Sequence, residues 1–251
     1  MPKKEWFAEW FDSPYYHLLY QNRNDDEAKV FIEKLCAYLQ LAPQIAVLDL
    51  ACGKGRHSIT LAKLGYQVTG ADLAPNSIQL AKQAQAALSL SNLDFIVHDM
   101  RQPIANNRFG AVFNLFTSFG YFDDLHDNQR VCSAIAEMLE PDGVLVIDFL
   151  NAQKVVANLV ESEIVMRGET RFDIKRWATA SHIYKQIEIR DPQQEGLIGP
   201  FTERVQALRV ADFQVLLAPN FELIATLGDY QLETFDEANS DRLILIAKKK
   251  P

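Results

Sequence analysis

The chain has 251 residues, of which 48% are apolar, enough to bury a sizeable core in one large domain or two small ones. Its formal net charge of −8 disfavours a general binder of nucleic-acid phosphates, although a local basic patch would be compatible with it. The three cysteines are scattered and odd in number, a pattern typical of neither a disulfide framework nor a zinc site.

The N-terminal residues, MPKKEWFAEWFDSPYY, contain no continuous apolar stretch of the kind that signal peptides carry. No apolar run elsewhere in the chain is long enough to cross a bilayer as a helix. We therefore expect a cytoplasmic protein that does not associate with a membrane.

From residue 45 to residue 150, short apolar runs alternate with amphipathic segments. The runs are typical of strands buried on both faces of a sheet, and the amphipathic segments are typical of helices. We expect Asp127 to cap the third helix. The alternation predicts a parallel sheet with helices on both sides. The predicted strands lie at 45–51, 66–72, 93–100, 109–119 and 144–150, and the predicted helices at 56–65, 74–90 and 127–140.

The alternation breaks between residues 151 and 209, where apolar residues recur with a period of two, as at Ile183, Ile187 and Ile189. Antiparallel strands with one face toward solvent have this pattern. We predict that this segment forms a small inserted sheet and covers the ends of the parallel strands.

Polar or small residues follow the apolar part of four predicted strands, at Asp49, Asp72, Asp99 and residues 114–118. Sheets of this class bind ligands outside the carboxyl ends of their strands. Each residue alone is a weak signal, because a carboxylate at a strand end is often only a solvated group. Together the four positions predict a binding site at this edge of the sheet.

Between the first strand and the first helix, Gly53 and Gly55 form a G-x-G turn, with Asp49 four residues before it. A dinucleotide-binding turn has a third glycine, but Ser58 stands at that position here. A nearby carboxylate stabilises a bound pyrophosphate little, because both carry negative charge. The same carboxylate stabilises a bound cation. Asp72 lies about as far along the chain as the residue that binds ribose hydroxyls in such folds. These features predict a nucleoside with a positive charge and no phosphate, such as S-adenosylmethionine (SAM).

The stretch VLDLACGKGRHSITLAKLGYQVTGADLAPNSIQLA at 47–81 resembles the first motifs of the Rossmann-like (class I) SAM-dependent methyltransferases. FTSFGYF and LEPDGVLVIDFLN resemble later motifs of that family. The YYxLLYxxRxxxEA pattern at 15–28 is similar to its small-molecule branch, which includes sugar-amine N-methyltransferases. The resemblance covers nearly the whole chain. It implies an α/β fold with a Rossmann-like seven-stranded mostly parallel sheet, helices on both faces and a small inserted antiparallel β-sheet.

The resemblance also implies three regions. These are an N-terminal helical lid segment at 1–40, a SAM-binding Rossmann-like core at 41–150 and 210–251, and an inserted antiparallel β subdomain at 151–209. We expect the lid to close over SAM, and the inserted sheet near 172–189 to wall the acceptor pocket together with Phe119 and Tyr121. Such inserts form dimer contacts in relatives, so a homodimer through the inserted sheet is a further expectation. Extra core packing is the alternative reading of both segments.

Carried over residue by residue, the resemblance places the cofactor at the strand ends. The two glycines of the turn let the backbone approach the ligand. By the same resemblance, Asp49 helps to hold the methionyl amino end, Asp72 accepts hydrogen bonds from both ribose hydroxyls, and Asp99 binds the adenine amine. The predicted cofactor-binding residues are Arg23, Asp49, Ala51, Gly53, Gly55, Asp72, Leu73, Asp99, Met100, Leu115 and Phe116.

Methyl transfer asks little of side chains beyond an in-line approach of the acceptor, although a hydroxyl acceptor needs more help from a base than a neutral amine does. The predicted catalytic residues are Tyr16, Tyr20 and Tyr121, with His126 as a further candidate. Core packing is the alternative role for the N-terminal tyrosines. The acidic residues around His126 lack the spacing of metal ligands, so we predict no metal site.

The sequence thus predicts a SAM-dependent methyltransferase that acts on an amine or hydroxyl of a small-molecule acceptor. The ending NLFTSFGYF of the fourth strand differs from the Asn-Pro-Pro-Tyr type that acts on adenines or glutamine amides. This difference and the acidic net charge disfavour a nucleic-acid partner. Two alternatives stay open, namely a methyltransferase that acts on tRNA or protein, and a SAM-binding module without catalysis.

Overall fold

The computed structural model describes residues 5–21, 25–106 and 108–251. Helices and strands alternate through most of these ranges, and they are numbered here in chain order. They are α1 (Trp6–Trp10), α2 (Pro14–Leu19), α3 (Asp25–Leu39), β1 (Ala46–Leu50), α4 (Arg56–Lys63), β2 (Gln67–Asp72), α5 (Pro75–Leu88), β3 (Leu93–Val97), β4 (Phe109–Asn114), α6 (Leu125–Met138), β5 (Leu139–Leu150), α7 (Ala152–Ala157), β6 (Ser162–Arg167), β7 (Thr170–Ala178), β8 (His182–Arg190), β9 (Ile198–Gln206), α8 (Val210–Leu217), β10 (Phe221–Leu227) and β11 (Arg242–Lys249).

The main sheet has seven strands in the order β10-β11-β5-β4-β1-β2-β3. β1 pairs in parallel with β2 and β4, whereas β11 runs antiparallel to both of its neighbours. Val47, Leu48 and Leu50 are fully buried because β1 lies in the middle of the sheet and is covered on both faces. One face packs against α3, α4 and α5, and the other packs against α6 and α8. This architecture confirms the predicted Rossmann-like fold.

The fourth strand is shorter than predicted, because β4 ends at Asn114 instead of Phe119. Phe116 and Thr117 have φ angles of 63° and 60°, which a strand cannot accommodate. The residues after Asn114 therefore form a loop at the carboxyl edge of the sheet, beside the turn that follows β1.

The segment before α6 also differs from the prediction. The side chain of Asp124 accepts a hydrogen bond from the His126 N–H at 2.8 Å, so Asp124 caps the helix and the predicted cap at Asp127 is wrong. Asp127 lies in the first turn, where its carboxylate pairs with Arg101 and Arg130. The Pro-Asp-Gly sequence at 141–143 lies between the predicted third helix and the predicted fifth strand, and the structure includes it in β5.

The predicted insertion begins with a short helix, α7, that the sequence pattern did not reveal. The four strands that follow form a separate antiparallel sheet in the order β6-β7-β8-β9. Its inner face carries Phe172, Ile187 and Ile189, all fully buried, and these pack against Trp10 and Leu19. Residues 5–21, called here the N-terminal segment, are therefore held against the inserted sheet by an apolar cluster.

None of the helices in the described part of the chain combines the length and the apolar character needed to cross a bilayer.

Candidate active site

A cavity of about 890 Å³ lies at the carboxyl edge of the main sheet, between the strand ends and the N-terminal segment. Most of the residues predicted from the sequence to form a site contribute to its wall. They are Tyr16, Tyr20, Ala51, Gly53, Asp72, Leu73, Asp99, Met100, Leu115, Phe116 and Tyr121. Arg23 lies outside the described residues, so its predicted contact with the cofactor stays a prediction.

The two glycines of the G-x-G turn have different surroundings. Gly53 has a φ of +57° and faces the cavity, where a Cβ would meet no atom within 4 Å. Gly55 has a φ of +79°, and a Cβ there would overlap the ring of Phe95. Because Gly55 faces the packed interior, close packing and backbone conformation both require a glycine at this position.

Ser58 has a structural reason to stand where a dinucleotide fold has its third glycine. Its hydroxyl donates a hydrogen bond of 2.5 Å to Asp49, which is only 1% exposed. Gly70 in β2 provides the space that the Ser58 hydroxyl needs, since a Cβ at residue 70 would lie 2.9 Å from the Ser58 oxygen. Burial raises the pKa of Asp49 to about 6, although the Ser58 hydrogen bond acts in the opposite direction. Asp49 is thus buried under the turn and stabilises it through the hydrogen bond with Ser58.

Asp72 connects the turn to the end of β2. Its carboxylate accepts hydrogen bonds from the backbone N–H groups of Gly53 at 2.7 Å and Ala74 at 2.9 Å. Each carboxylate oxygen can accept more than one hydrogen bond, so Asp72 can also accept from a ligand in the cavity. Burial raises the pKa of Asp72, while the two backbone donors lower it.

Asp99 is held by Arg101 at the end of β3. The guanidinium donates from Nε to Oδ1 at 3.0 Å and from Nη2 to Oδ2 at 2.6 Å. Burial opposes ionisation, but the hydrogen bonds and charge of Arg101 hold the pKa of Asp99 below its usual value. Arg101 also pairs with Glu5 and Asp127 and thereby ties the N-terminal segment to this edge of the sheet.

The loop after β4 rests on a buried network that sequence reasoning missed. Asp148, 1% exposed, accepts hydrogen bonds from the Phe116 N–H at 2.9 Å and from Arg242 Nε at 2.7 Å. Arg242 donates to the Thr117 hydroxyl at 2.9 Å, and Tyr230 donates to Asp148 at 3.1 Å. Burial raises the pKa of Tyr230, which keeps its hydroxyl protonated as a donor. The network fixes the two left-handed residues of the loop beside the cavity.

The inserted sheet reaches the cavity in a different way from the one predicted. Phe119 is fully buried against Phe213 in the main core, so its predicted place in an acceptor pocket is wrong. The apolar residues of β7 and β8 pack against the N-terminal segment, as described above. Among the described residues, the inserted sheet contributes Glu203 of β9 to the cavity wall.

Glu203 is surrounded by donors from distant parts of the chain. Its Oε1 accepts hydrogen bonds from Trp10 Nε1 and from the Tyr20 hydroxyl, both at 2.7 Å. Lys185 Nζ donates to the same hydroxyl at 2.6 Å and lies 4.0 Å from Glu203 Oε2. No local motif marked Glu203, because Trp10 and Tyr20 lie 193 and 183 residues away from it in the sequence. Lys185 is its partner on the neighbouring strand β8.

The other predicted catalytic residues also have defined surroundings. The Tyr121 hydroxyl donates to the Thr117 carbonyl oxygen at 2.6 Å, and Tyr16 packs its ring 4.9 Å from that of Tyr20, measured between centroids. His126 is exposed in the first turn of α6, and the described cavity wall does not include it. Within the described residues, no group of three or more His, Cys, Asp or Glu side chains is arranged to hold a metal ion.

Comparison with known proteins gives one family match and several relatives. The family model described as "Methyltransferase domain" matches residues 41–196. A protein of Geobacillus sp. (strain WCH70) that bears a methyltransferase name is 28% identical over 151 residues, which are 60% of this chain and 59% of that protein. The glycine/sarcosine/dimethylglycine N-methyltransferase of Actinopolyspora halophila is 26% identical over 92% of this chain and 40% of its own length.

Solved structures share the fold. One is the SAM-bound amino pentose methyltransferase from Micromonospora echinaspora, involved in calicheamicin biosynthesis, which matches with a TM-score of 0.67 and 19% identity. The match covers 95% of this chain and 98% of that chain, so the likeness extends over the inserted sheet as well as the core. The chain spans a smaller part, 59% and 40%, of the two curated relatives.

Proposed function

Because this chain belongs to the methyltransferase domain family and its cofactor is SAM, we propose that it transfers the methyl group of SAM to an amine or hydroxyl of a small molecule. The observation that carries the proposal is the cavity itself, whose wall combines the strand-end residues with aromatic side chains of the N-terminal segment. Its volume of about 890 Å³ suits a cofactor with a small acceptor beside it.

The strand-end residues suit a nucleoside. We assign the ribose hydroxyls to Asp72, whose carboxylate faces the cavity and retains the capacity to accept. Asp99 is held ionised by Arg101 and can accept from the adenine amine, while Leu73 and Met100 provide apolar contacts for the ring. Gly53 lets the backbone approach the methionyl part without a side chain in the way.

SAM, when bound, supplies a methyl group on a positively charged sulfur that leaves readily. The protein then has to align the acceptor and keep water out, and these tasks fall to the aromatic wall and the loop after β4. The buried Asp148 network holds Phe116 and Thr117 in place, and Tyr121 bonds to Thr117. Of the predicted catalytic tyrosines, Tyr20 is joined to a carboxylate by a hydrogen bond, which makes it the strongest candidate for handling the acceptor's proton.

The proposal includes the partners of the protein. The net charge of −8 supports a small-molecule acceptor over a nucleic acid. The relatives named above support the same class of acceptor, since one is named for methylating glycine and its derivatives and another for an amino pentose. A homodimer through the inserted sheet is also proposed, and gel filtration with light scattering would test it.

The function is tested in two steps. Calorimetry with SAM, S-adenosylhomocysteine and NAD is expected to show binding of the first two compounds only. Release of S-adenosylhomocysteine is then measured with pools of small amines, small alcohols and phenols, and bulk tRNA. Turnover with a small-molecule pool supports the proposal. Turnover with tRNA alone contradicts the acceptor class, and binding of NAD without SAM contradicts the whole assignment.

A further inference from the structure

Four aromatic side chains form a continuous row along the cavity wall, namely Phe11, Tyr16, Tyr20 and Tyr121. The ring centroids lie 4.9 Å apart for Tyr20 and Tyr16, 5.0 Å for Tyr16 and Phe11, and 5.1 Å for Phe11 and Tyr121. The planes of these successive rings are inclined to each other by 56°, 66° and 67°. All four side chains are only partly buried, so the row presents ring faces and ring edges to a ligand in the cavity.

The charges beside this row are balanced within the protein. Lys185 and Glu203 are cross-strand partners on β8 and β9, and Lys185 Nζ lies 4.0 Å from Glu203 Oε2. The same ammonium group lies 4.5 Å from the centroid of the Tyr20 ring. Carboxylates and aromatic faces both attract cations, and here Lys185 supplies the cation to both. The aromatic row therefore requires no positive charge from its ligand.

Hydroxyl groups in this part of the wall donate to acceptors within the protein. Tyr20 donates to Glu203 at 2.7 Å, Tyr121 donates to the Thr117 carbonyl oxygen at 2.6 Å, and Ser118 donates to a backbone carbonyl oxygen at 3.0 Å. A buried ligand rich in hydroxyl groups would need such donors as partners, and each group left unpaired would weaken its binding. A planar apolar ring has no such requirement.

We propose that the aromatic row is the acceptor subsite, and that it binds a neutral aromatic compound whose ring carries the hydroxyl or amine that is methylated. Phenols and arylamines are such compounds, and both are uncharged at neutral pH. The inference rests on the proposed function and narrows its acceptor to molecules with an aromatic ring. Aromatic rings in edge-to-face or offset contact attract each other beyond the effect of buried area, and a saturated ring lacks this attraction.

The test compares benzyl alcohol with cyclohexylmethanol on the full chain saturated with S-adenosylhomocysteine. The two probes carry the same hydroxymethyl group and differ in the saturation of the ring. The saturated ring has the larger apolar surface, so burial alone favours cyclohexylmethanol. Ligand-observed NMR gives both dissociation constants, and we expect benzyl alcohol to bind about fivefold more tightly. S-adenosylhomocysteine carries no positive sulfur that would compete for the rings.

Tyr16 lies inside the row and offers a matched set of variants. Tyr16→Leu removes the ring but keeps an apolar side chain, and it should lower the preference for benzyl alcohol by about twofold or more. Tyr16→Phe keeps the ring and should keep the preference. Tyr38→Leu removes an exposed ring outside the described cavity wall and should keep it as well. Unchanged affinity for S-adenosylhomocysteine shows that the variants are folded.

A wild type that binds the two alcohols equally, prefers the saturated one or binds neither would overturn the inference. A preference that is undiminished in Tyr16→Leu would do the same. Benzylamine, which is charged at neutral pH, tests the charge balance. We expect it to bind no more tightly than benzyl alcohol, and tighter binding contradicts a neutral acceptor. A crystal structure of the wild type with benzyl alcohol needs no variant, and a probe ring bound away from the row contradicts the proposal.

Cofactor binding and turnover separate this inference from the proposed function. A wild type that fails to bind SAM overturns the function, whereas one that binds SAM without preferring benzyl alcohol overturns only the subsite. Release of S-adenosylhomocysteine is also measured with phenol and aniline, and separately with cyclohexanol and cyclohexylamine. Turnover with the aromatic pair supports both proposals. Turnover with the saturated pair alone supports the function and overturns the aromatic subsite.

Discussion

The two sides of the cavity are built from contacts of very different reach along the chain. On the side of the strand ends, Asp49 bonds to Ser58 nine residues away, and Asp72 bonds to Gly53 nineteen residues away. On the side of the inserted sheet, Glu203 bonds to Tyr20 and Trp10 across 183 and 193 residues. The turn after β1 and its bond to Asp72 are assembled within one strand-turn-helix-strand unit, whereas the contacts of Glu203 with Trp10 and Tyr20 form only when the N-terminal segment meets the inserted sheet.

Because their contacts differ in reach along the chain, the turn after β1 and the N-terminal segment are stabilised in different ways. Local contacts close short loops, so the turn after β1 can form as soon as its two strands pair. The N-terminal segment is held by a small apolar cluster on the inserted sheet and by a few long-range polar bonds. Its stability therefore depends on a small number of buried side chains, and substitutions on the two sides should have distinguishable effects.

The largest effect is expected from Trp10→Ala, on the long-range side. Trp10 is 1% exposed, and its loss should lower the free energy of unfolding by about 3–5 kcal/mol. Trp177→Ala in β7 is the matched control within the inserted sheet that Trp10 packs against, because the Trp177 ring is 40% exposed and stacks on Tyr184. It should cost about 1 kcal/mol. Equal losses in urea denaturation would show that the cluster does not hold the N-terminal segment.

On the local side, Asp49 should make stability depend on pH. The native pKa of about 6 lies above the usual 3.8, so the native state binds the proton more readily than the unfolded state. Stability is thus lost as the pH rises from about 4 to about 6, by roughly 3 kcal/mol. Asp49→Asn should lack this loss, and urea denaturation at several pH values compares the two proteins. A constant difference between them would show that Asp49 does not titrate in this range.

Asp72 tests whether the local side holds the cofactor. Asp72→Asn should weaken SAM binding by roughly 1.5–3 kcal/mol, or about ten- to hundredfold, because hydrogen bonds to a charged acceptor are lost. Calorimetry measures the change. Asp94→Asn removes an exposed carboxylate from β3 and is the control for the loss of one negative charge. An unchanged SAM affinity in Asp72→Asn would contradict the ribose assignment.

The smallest effect distinguishes the two glycines of the turn. Both have positive φ angles, so an alanine at either position carries backbone strain. At Gly55 the new methyl group would also overlap Phe95, whereas at Gly53 it would meet open space. Gly55→Ala should therefore cost about 1–3 kcal/mol more than Gly53→Ala in thermal or chemical unfolding. Similar costs would mean that the Phe95 ring moves aside freely.

The sequence predicted the local side well, because its signals are local. The apolar run at 45–51 became β1 at Ala46–Leu50, and the acidic residue at the end of the second strand became the cavity carboxylate Asp72. The predicted end of the fourth strand was wrong, because positive φ angles at Phe116 and Thr117 interrupt an apolar run that is typical of a strand. Such angles are imposed by the distant Asp148 and Arg242, which pattern reading cannot connect to the loop.

The side of the cavity at the inserted sheet could not be predicted in detail either, because its contacts join residues that are distant in the sequence. Glu203 stands beside Arg204 in β9 with no motif around it, and only the folded structure shows that Trp10 and Tyr20 converge on it. The sequence pattern places Phe119 at the end of the fourth strand and beside the ligand, but its ring packs in the core against Phe213. Amphipathic periodicity predicts which face of an element is buried and leaves open which partner covers it.

The position of the inserted sheet in the chain has an evolutionary consequence. Residues 152–206 leave the core after β5 and return before α8, so changes in these strands need not alter the register between β1 and its neighbours. Mutations at the Glu203 end of the cavity can accumulate while the strand-turn-helix unit stays under its own constraints. A lineage with this architecture can therefore change the residues that the inserted sheet contributes to the cavity within one contiguous stretch of its gene, without rebuilding the strand-turn-helix unit.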